Sequence, residues 1–234
     1  MKKYTKWIPL AVIAILMVIA YATGVADYFT YEMLRERHAT LTEFVHNYYF
    51  SASAIFILTY IVSTSLSLPI GIYLSFIGGY LFAQPWSLIY VTVGATIGAS
   101  ILFWAAKIAL KDFLTRKYSD KLAKMKDGFN ENAANYLLFL RLVPIFPFWF
   151  VNLAPALLGV RFSTFVWTTA VGILPGVFVF TQFGAGIGSI LETGDDFSIE
   201  SVFTTEIQIA LAALAIFVLI PVIVKKIRKR KKND

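Results

Sequence analysis

Arg141 is the residue whose position most demands a chemical account. It is the sixth residue of the apolar stretch Tyr136–Val160. An ionised side chain at membrane depth costs about 2.5–3.5 kcal/mol on insertion scales and by default marks a functional site. The usual relief is a carboxylate, and none is near in sequence. No Asp or Glu occurs between Glu43 and Asp112, or between Glu131 and Glu192. Backbone carbonyls, water or an anionic ligand remain, and a phosphate oxygen pair matches the fork of a guanidinium. The competing reading is a side chain that snorkels to the headgroups.

Other residues gather around that one. Lys107 ends the apolar run before Arg141, where it either shares an anionic headgroup or anchors its helix. Asn152 offers amide donors and an acceptor, to a ligand or to a neighbouring helix. Pro69, Pro144 and Pro147 break apolar runs and free backbone groups. Gly79, beside Gly78, allows close backbone approach, for a ligand or for packing. Catalysis finds no such grouping. The chain has no cysteine and only two histidines, so thiol chemistry and histidine metal clusters are excluded. No serine, histidine and carboxylate converge in the apolar segments. The expectation is a protein that is not an enzyme and takes no cofactor and no metal.

The elements that must position these residues are membrane elements. Of 234 residues 58% are hydrophobic and 15% charged, against about 45–50% and 25% in soluble chains. A span needs about 20 apolar residues, and Trp7–Ala26, Leu88–Leu110, Phe162–Phe183 and Ile207–Val224 supply four. The first is also read as a signal peptide, with Gly24-Val25-Ala26 at a cleavage spacing. Two segments, 27–47 and 111–135, place apolar residues at helical spacing among polar ones, which predicts amphipathic helices in the interface. Thr40-Leu41-Thr42-Glu43 has the form of a capping box before the run Phe44–Leu68. Gly184–Glu206 reads as an acidic, glycine-rich loop.

Basic residues set the topology. Three lie before the first span, seven in 107–126 and seven in the tail 225–232, whereas 184–206 has five carboxylates and no basic residue. The positive-inside rule puts both termini and 111–135 in the cytoplasm. Segments 48–84 and 136–158 must then each cross an even number of times, as hairpins or re-entrant loops broken at Pro69 and at Pro144/Pro147. They enter from opposite faces. Gly94 and Gly98 follow Pro69 by 25 and 29 residues, and Gly172 and Gly176 follow Pro147 by the same 25 and 29. Equal spacing in oppositely oriented halves predicts an inverted repeat with its site near the midplane. The fold class expected is an all-α polytopic membrane protein, with about four full transmembrane helices, two opposed re-entrant hairpins and interfacial helices. The organisation expected is an N-terminal region over residues 1–47, a membrane domain over residues 48–190, and a closing region over residues 191–234 with loop, last span and polybasic tail.

The motif Arg141-Leu142-Val143-Pro144-Ile145-Phe146-Pro147, followed by Asn152 and Gly159, resembles the signature of the DedA superfamily, in its VTT-domain (SNARE-associated Golgi protein) branch. Similar too are Pro69, Gly79, Leu81-Phe82, Gly94–Gly98, Gly172-Ile173-Leu174-Pro175-Gly176 and Gly184. The resemblance covers roughly residues 65–190. It implies paired re-entrant loops and movement or scrambling of phospholipid or polyprenyl-phosphate carriers. In bacteria it implies the cytoplasmic membrane and envelope homeostasis. Two departures stand out: this chain lacks the acidic residues of the bacterial branch at its first re-entrant loop, and Lys107 stands where relatives often have Arg. Without an intramembrane carboxylate, proton coupling has no carrier.

The partner expected is an anionic membrane lipid held at Arg141, with Lys107 and Asn152, and a homo-oligomer is left open. The tail is read as a topology signal and headgroup anchor rather than as a nucleic-acid site. Two other readings remain: a secondary transporter of a small anion, and a membrane-organising factor that transports nothing.

Overall fold

The computed structural model describes residues 8–23, 31–117, 132–142 and 148–193, with the single positions Thr205, Gln208, Ile209 and Ala212. All the elements described are helices. They are α1 (Ile8–Ala22), α2 (Tyr31–Glu36), α3 (His38–Asn47), α4 (Tyr49–Ser65), α5 (Gly71–Leu81), α6 (Trp86–Lys117), α7 (Ala133–Leu142), α8 (Phe148–Leu157) and α9 (Phe162–Thr193). Two stretches are long and apolar enough to cross a bilayer, Trp86–Ala109 and Phe162–Leu191. A third span counts if α3 and α4, bent by 114°, are taken together.

Several boundaries differ from the sequence expectation. The run Phe44–Leu68 is divided at Tyr48, so Phe44 lies in the last turn of α3 rather than opening a span. Thr40 and Glu43 lie inside α3 and form no capping box; Thr42 instead donates its hydroxyl to the His38 carbonyl, at 2.8 Å. Gly184 and Gly188 belong to α9 and not to a loop, because the helix runs on to Thr193. Likewise α6 passes Leu110 and continues to Lys117. Pro155 lies within α8 and does not end it. Pro144, Pro147, most of the 111–135 amphipathic segment, the last span 207–224 and the tail fall outside the described residues.

Glycine contacts reveal the directions of the helices. A Cβ on Gly94 would lie 2.8 Å from the Tyr60 Cβ and 3.4 Å from the Ile57 carbonyl oxygen. One on Gly98 would lie 2.6 Å from the Thr64 Cβ and 2.7 Å from the Ile61 carbonyl oxygen. A step of four residues on α6 is thus matched by four on α4, and the two helices run parallel. Between them α5 must return. The second half repeats this arrangement. Ala133 and Leu137 pack with Phe165, and Arg141, further along α7, meets Thr169 and Gly172, further along α9. Leu138 stands 34 residues before Gly172, as Tyr60 stands before Gly94. The halves point in opposite directions, because Phe103 stacks near the start of α9, on Phe165, while Val91 and Ala95 pack near Val177.

Each hairpin ends one arm on a left-handed residue. After α4, Leu68 N–H donates to the Ser63 carbonyl and Ser67 N–H to that of Thr64, with Ser67 at φ 53°. After α8, Val160 donates to Pro155 and Gly159 to Ala156, with Gly159 at φ 76°. Both are Schellman closures, which satisfy the last carbonyls of a helix within the chain itself.

The returning arms cross between the halves. α5 packs mainly on α9, and α8 on α6. At the first crossing the backbones touch: a Cβ on Gly79 would strike the Thr181 carbonyl oxygen, and one on Gly184 that of Phe76. Gln84 Nε2 adds a 2.7 Å bond to Thr181 Oγ1 beside it. At the second crossing Ala156 and Val160 meet Ala99, Phe103 and Ala106. Small residues allow such approach where no water drives helices together. Over-packing typically costs about 1–3 kcal/mol. Gly79→Ala and Gly184→Ala should each lower the thermal midpoint of the detergent-purified protein at that scale. Gly176→Ala, with nothing within 4 Å, should leave the midpoint unchanged in the same scan.

Candidate functional site

Arg141 sits in the last turn of α7, and three elements converge on it. α9 supplies the floor, because Gly172 leaves room that any Cβ would close: that atom would come 2.8 Å from the Arg141 Cβ and 3.1 Å from its Cγ. One Nη2 hydrogen is donated to Asn152 Oδ1, at 2.6 Å, and the other to Thr169 Oγ1, at 2.9 Å. Asn152 is fully buried on α8 and Thr169 is 1% exposed on α9. Thr169 hands its own hydroxyl proton to the Phe165 carbonyl, at 2.7 Å, which leaves a lone pair for the arginine. The Phe165 ring lies 5.5 Å from the Arg141 Cζ and that of Phe148 6.0 Å. Aromatic faces attract a guanidinium by their quadrupole.

Both Nη2 hydrogens are used, and among the described residues no acid neutralises the group. Two of the remaining donors are enclosed, Arg141 Nε–H and the Asn152 Nδ2 amide, and neither finds an acceptor among the described residues. The amide cannot turn round, because its oxygen faces the guanidinium. A buried donor without a partner costs about 1–3 kcal/mol. The arrangement therefore presents positive charge and donors in excess of acceptors, which suits an oxyanion.

The other sequence candidates are placed as follows. Lys107 does not reach Arg141; its Nζ lies 4.9 Å from the Trp104 ring and 5.8 Å from that of Phe103. The two cations are joined only through rings, since Phe103 stacks on Phe165 with centroids 4.6 Å apart. Pro69 lies exposed in the turn between α4 and α5. Gly79 is filled by the Thr181 backbone and offers no ligand space. Gly94 and Gly98 hold α4 against α6, Gly172 holds Arg141, and Gly176 is open. Pro144 and Pro147 lie outside the described residues. No group of three or more His, Cys, Asp or Glu side chains suited to a metal is found among the described residues.

Sequence reasoning missed Thr169 and Phe165. Their signal is weak: both precede Gly172 on the α9 face that carries it, and only the register between α7 and α9 connects them to Arg141. Asn152→Leu and Thr169→Val each strip an acceptor from a buried guanidinium. Each should cost about 1–3 kcal/mol in denaturant midpoints. The paired change Arg141→Met with Asn152→Leu should recover most of that loss, because the uncompensated charge goes with its partner.

Known proteins resemble this chain along most of its length. The VTT domain family model matches residues 68–186, a little over half of the chain. The match takes in Gly79, Arg141, Asn152, Thr169 and both glycine pairs. A transmembrane protein 41 homolog of Dictyostelium discoideum is 31% identical over 189 residues, covering 80% of this chain and 55% of the relative. The homolog of Caenorhabditis elegans is 29% identical over 189 residues, covering 80% and 74%. Transmembrane protein 41B of Xenopus tropicalis is 27% identical over 194 residues, covering 82% and 68%. The chain thus spans little more than half the length of its Dictyostelium relative. No solved structure matches. From the family match and its long apolar helices, the chain is an integral membrane protein that belongs to the VTT-domain family of the DedA superfamily.

Proposed function

We propose that the protein moves or scrambles phosphate-bearing lipid headgroups across its membrane, with Arg141 receiving the phosphate. One observation carries this reading. Among the described residues the guanidinium meets no carboxylate, and its own Nε–H and the neighbouring Asn152 amide find no acceptor. A phosphate oxygen would satisfy both donors and the charge, whereas a neutral solute would satisfy the donors alone. Lys107, held on its aromatic shelf, attracts headgroups at one remove and is not a direct ligand. The reaction is transfer without covalent chemistry, so no catalytic group is assigned.

In this reading the membrane carries four full spans and two re-entrant hairpins, 48–84 and 136–158, entering from opposite faces. Opposite direction of α6 and α9 and the parallel pairs α4/α6 and α7/α9 support it. The membrane is the bacterial cytoplasmic one, with both termini inside. The sidedness rests on the positive-inside count and the bacterial membrane on the family resemblance, while the relatives named above are eukaryotic.

Liposomes holding the full-length protein and a headgroup-labelled phospholipid test the central claim. Wild type should expose the inner-leaflet label to a membrane-impermeant quencher. Arg141→Gln should slow that exposure at least about tenfold, the scale of one lost charge-assisted contact. Equal rates for the two would overturn the proposal. Uptake of a soluble anion that follows an ion gradient would favour the small-anion reading instead. Sidedness is checked separately. The chain has no cysteine, so Asn233→Cys should react with an impermeant maleimide only when the cytoplasmic face is opened.

A further inference from the structure

A second polar site lies at the opposite end of the α7/α9 pair. There a cavity of about 490 Å³ is lined by Asn132, Ala133, Asn135, Gly159, Arg161 and Thr164, among others. We propose that this cavity binds a phosphate group, presented either by a lipid headgroup or by free phosphate, at a site separate from Arg141.

Charge is the first support. Among the described residues Arg161 is the one ionised side chain of the lining, and no acidic residue joins it there. Two carboxamides and a hydroxyl supply further donors beside the guanidinium. That set recognises a tetrahedral oxyanion through several hydrogen bonds at once.

The backbone adds to the same field. Because α7 and α9 run parallel, both begin at this cavity, at Ala133 and Phe162. Neither helix has an acidic residue in its first turn, so within the two helices nothing offsets their positive ends. By helix rise, the cavity floor lies about 12 Å along α7 from Arg141, too far for one phosphate to touch both arginines.

The other half shows that the fold does not need this polarity. Ala54, Ile57, Ala83 and Trp86 stand 78 residues before Asn132, Asn135, Arg161 and Thr164, the spacing that relates Gly94 to Gly172. The same parallel-pair architecture is there built with apolar side chains. A polar, cationic lining in one half only is a feature added to the scaffold, not a requirement of it.

The test uses the full-length protein and two arms. In one, inorganic phosphate is titrated calorimetrically into the detergent-purified protein. In the other, phosphatidic acid bound per protein is read by native mass spectrometry. Wild type should bind in at least one arm, and that arm identifies the source. Arg161→Gln should weaken binding about tenfold there, Arg161→Lys should retain part of it, and Arg141→Gln should leave this site's share intact. Arg161 is exposed, so the thermal midpoint should hold, and Asn132→Ala with Asn135→Ala serves as the second variant. Binding unchanged by Arg161→Gln and by the double variant in both arms overturns the proposal. Either outcome leaves the Arg141 transfer assay free to succeed or fail by itself.

Discussion

Charge without a counter-charge is the constraint around which the second half is built. A guanidinium enclosed by apolar helices would be costly if left to itself, and a carboxylate partner would cancel it and silence it. The chain takes a third course. It binds Nη2 with the neutral oxygens of Asn152 and Thr169 and places Phe165 beside the guanidinium. These contacts fix the orientation of the group and leave its net charge in place. Three elements must hold register for that to work: α7 brings the arginine, α8 the amide, and α9 the hydroxyl, the ring and the glycine floor. The helix directions, the parallel pairing and the crossing arms are what bring those positions together.

Much of this is legible in the residues themselves. Arg141 stands out because no acid lies near it in sequence, and Asn152 because an amide in an apolar segment needs a reason. The equal spacing of Gly94/Gly98 and Gly172/Gly176 from their prolines points to two related halves, and three of those four glycines do seat a neighbouring helix. Thr169 and Phe165 are not legible, since a threonine or phenylalanine in a membrane helix is ordinary until the register of another helix is known. The bend at Tyr48 is half legible: His46 and Asn47 close the polar segment there, while Phe44 and Val45 before them suggest an earlier start to the apolar run.

Gly184 and Gly188 depart from the loop expected of them for a related reason. Glycines followed by acids compose a loop as readily as a helix end. What decides between them is a partner 108 residues away: Phe76 and Tyr80, whose backbone can approach only where no side chain stands. The two halves also diverge more in chemistry than in shape. Tyr60, bonded to Ser75 and to the Gly71 carbonyl, is placed like Leu138, and Ser63 like Arg141. A shared scaffold thus carries neutral hydroxyls on one side and a cation on the other.

The Gly79/Gly184 crossing has a mechanical consequence. Where two helices meet through bare backbone there is no layer of side chains to change rotamer, so α5 and α9 travel as one rigid piece. Gly98 clamps the α4/α6 pair in the same fashion, whereas among the described residues nothing stands within 4 Å of a Cβ on its counterpart Gly176. Whatever displaces α5 at its crossing must therefore displace α9 with it.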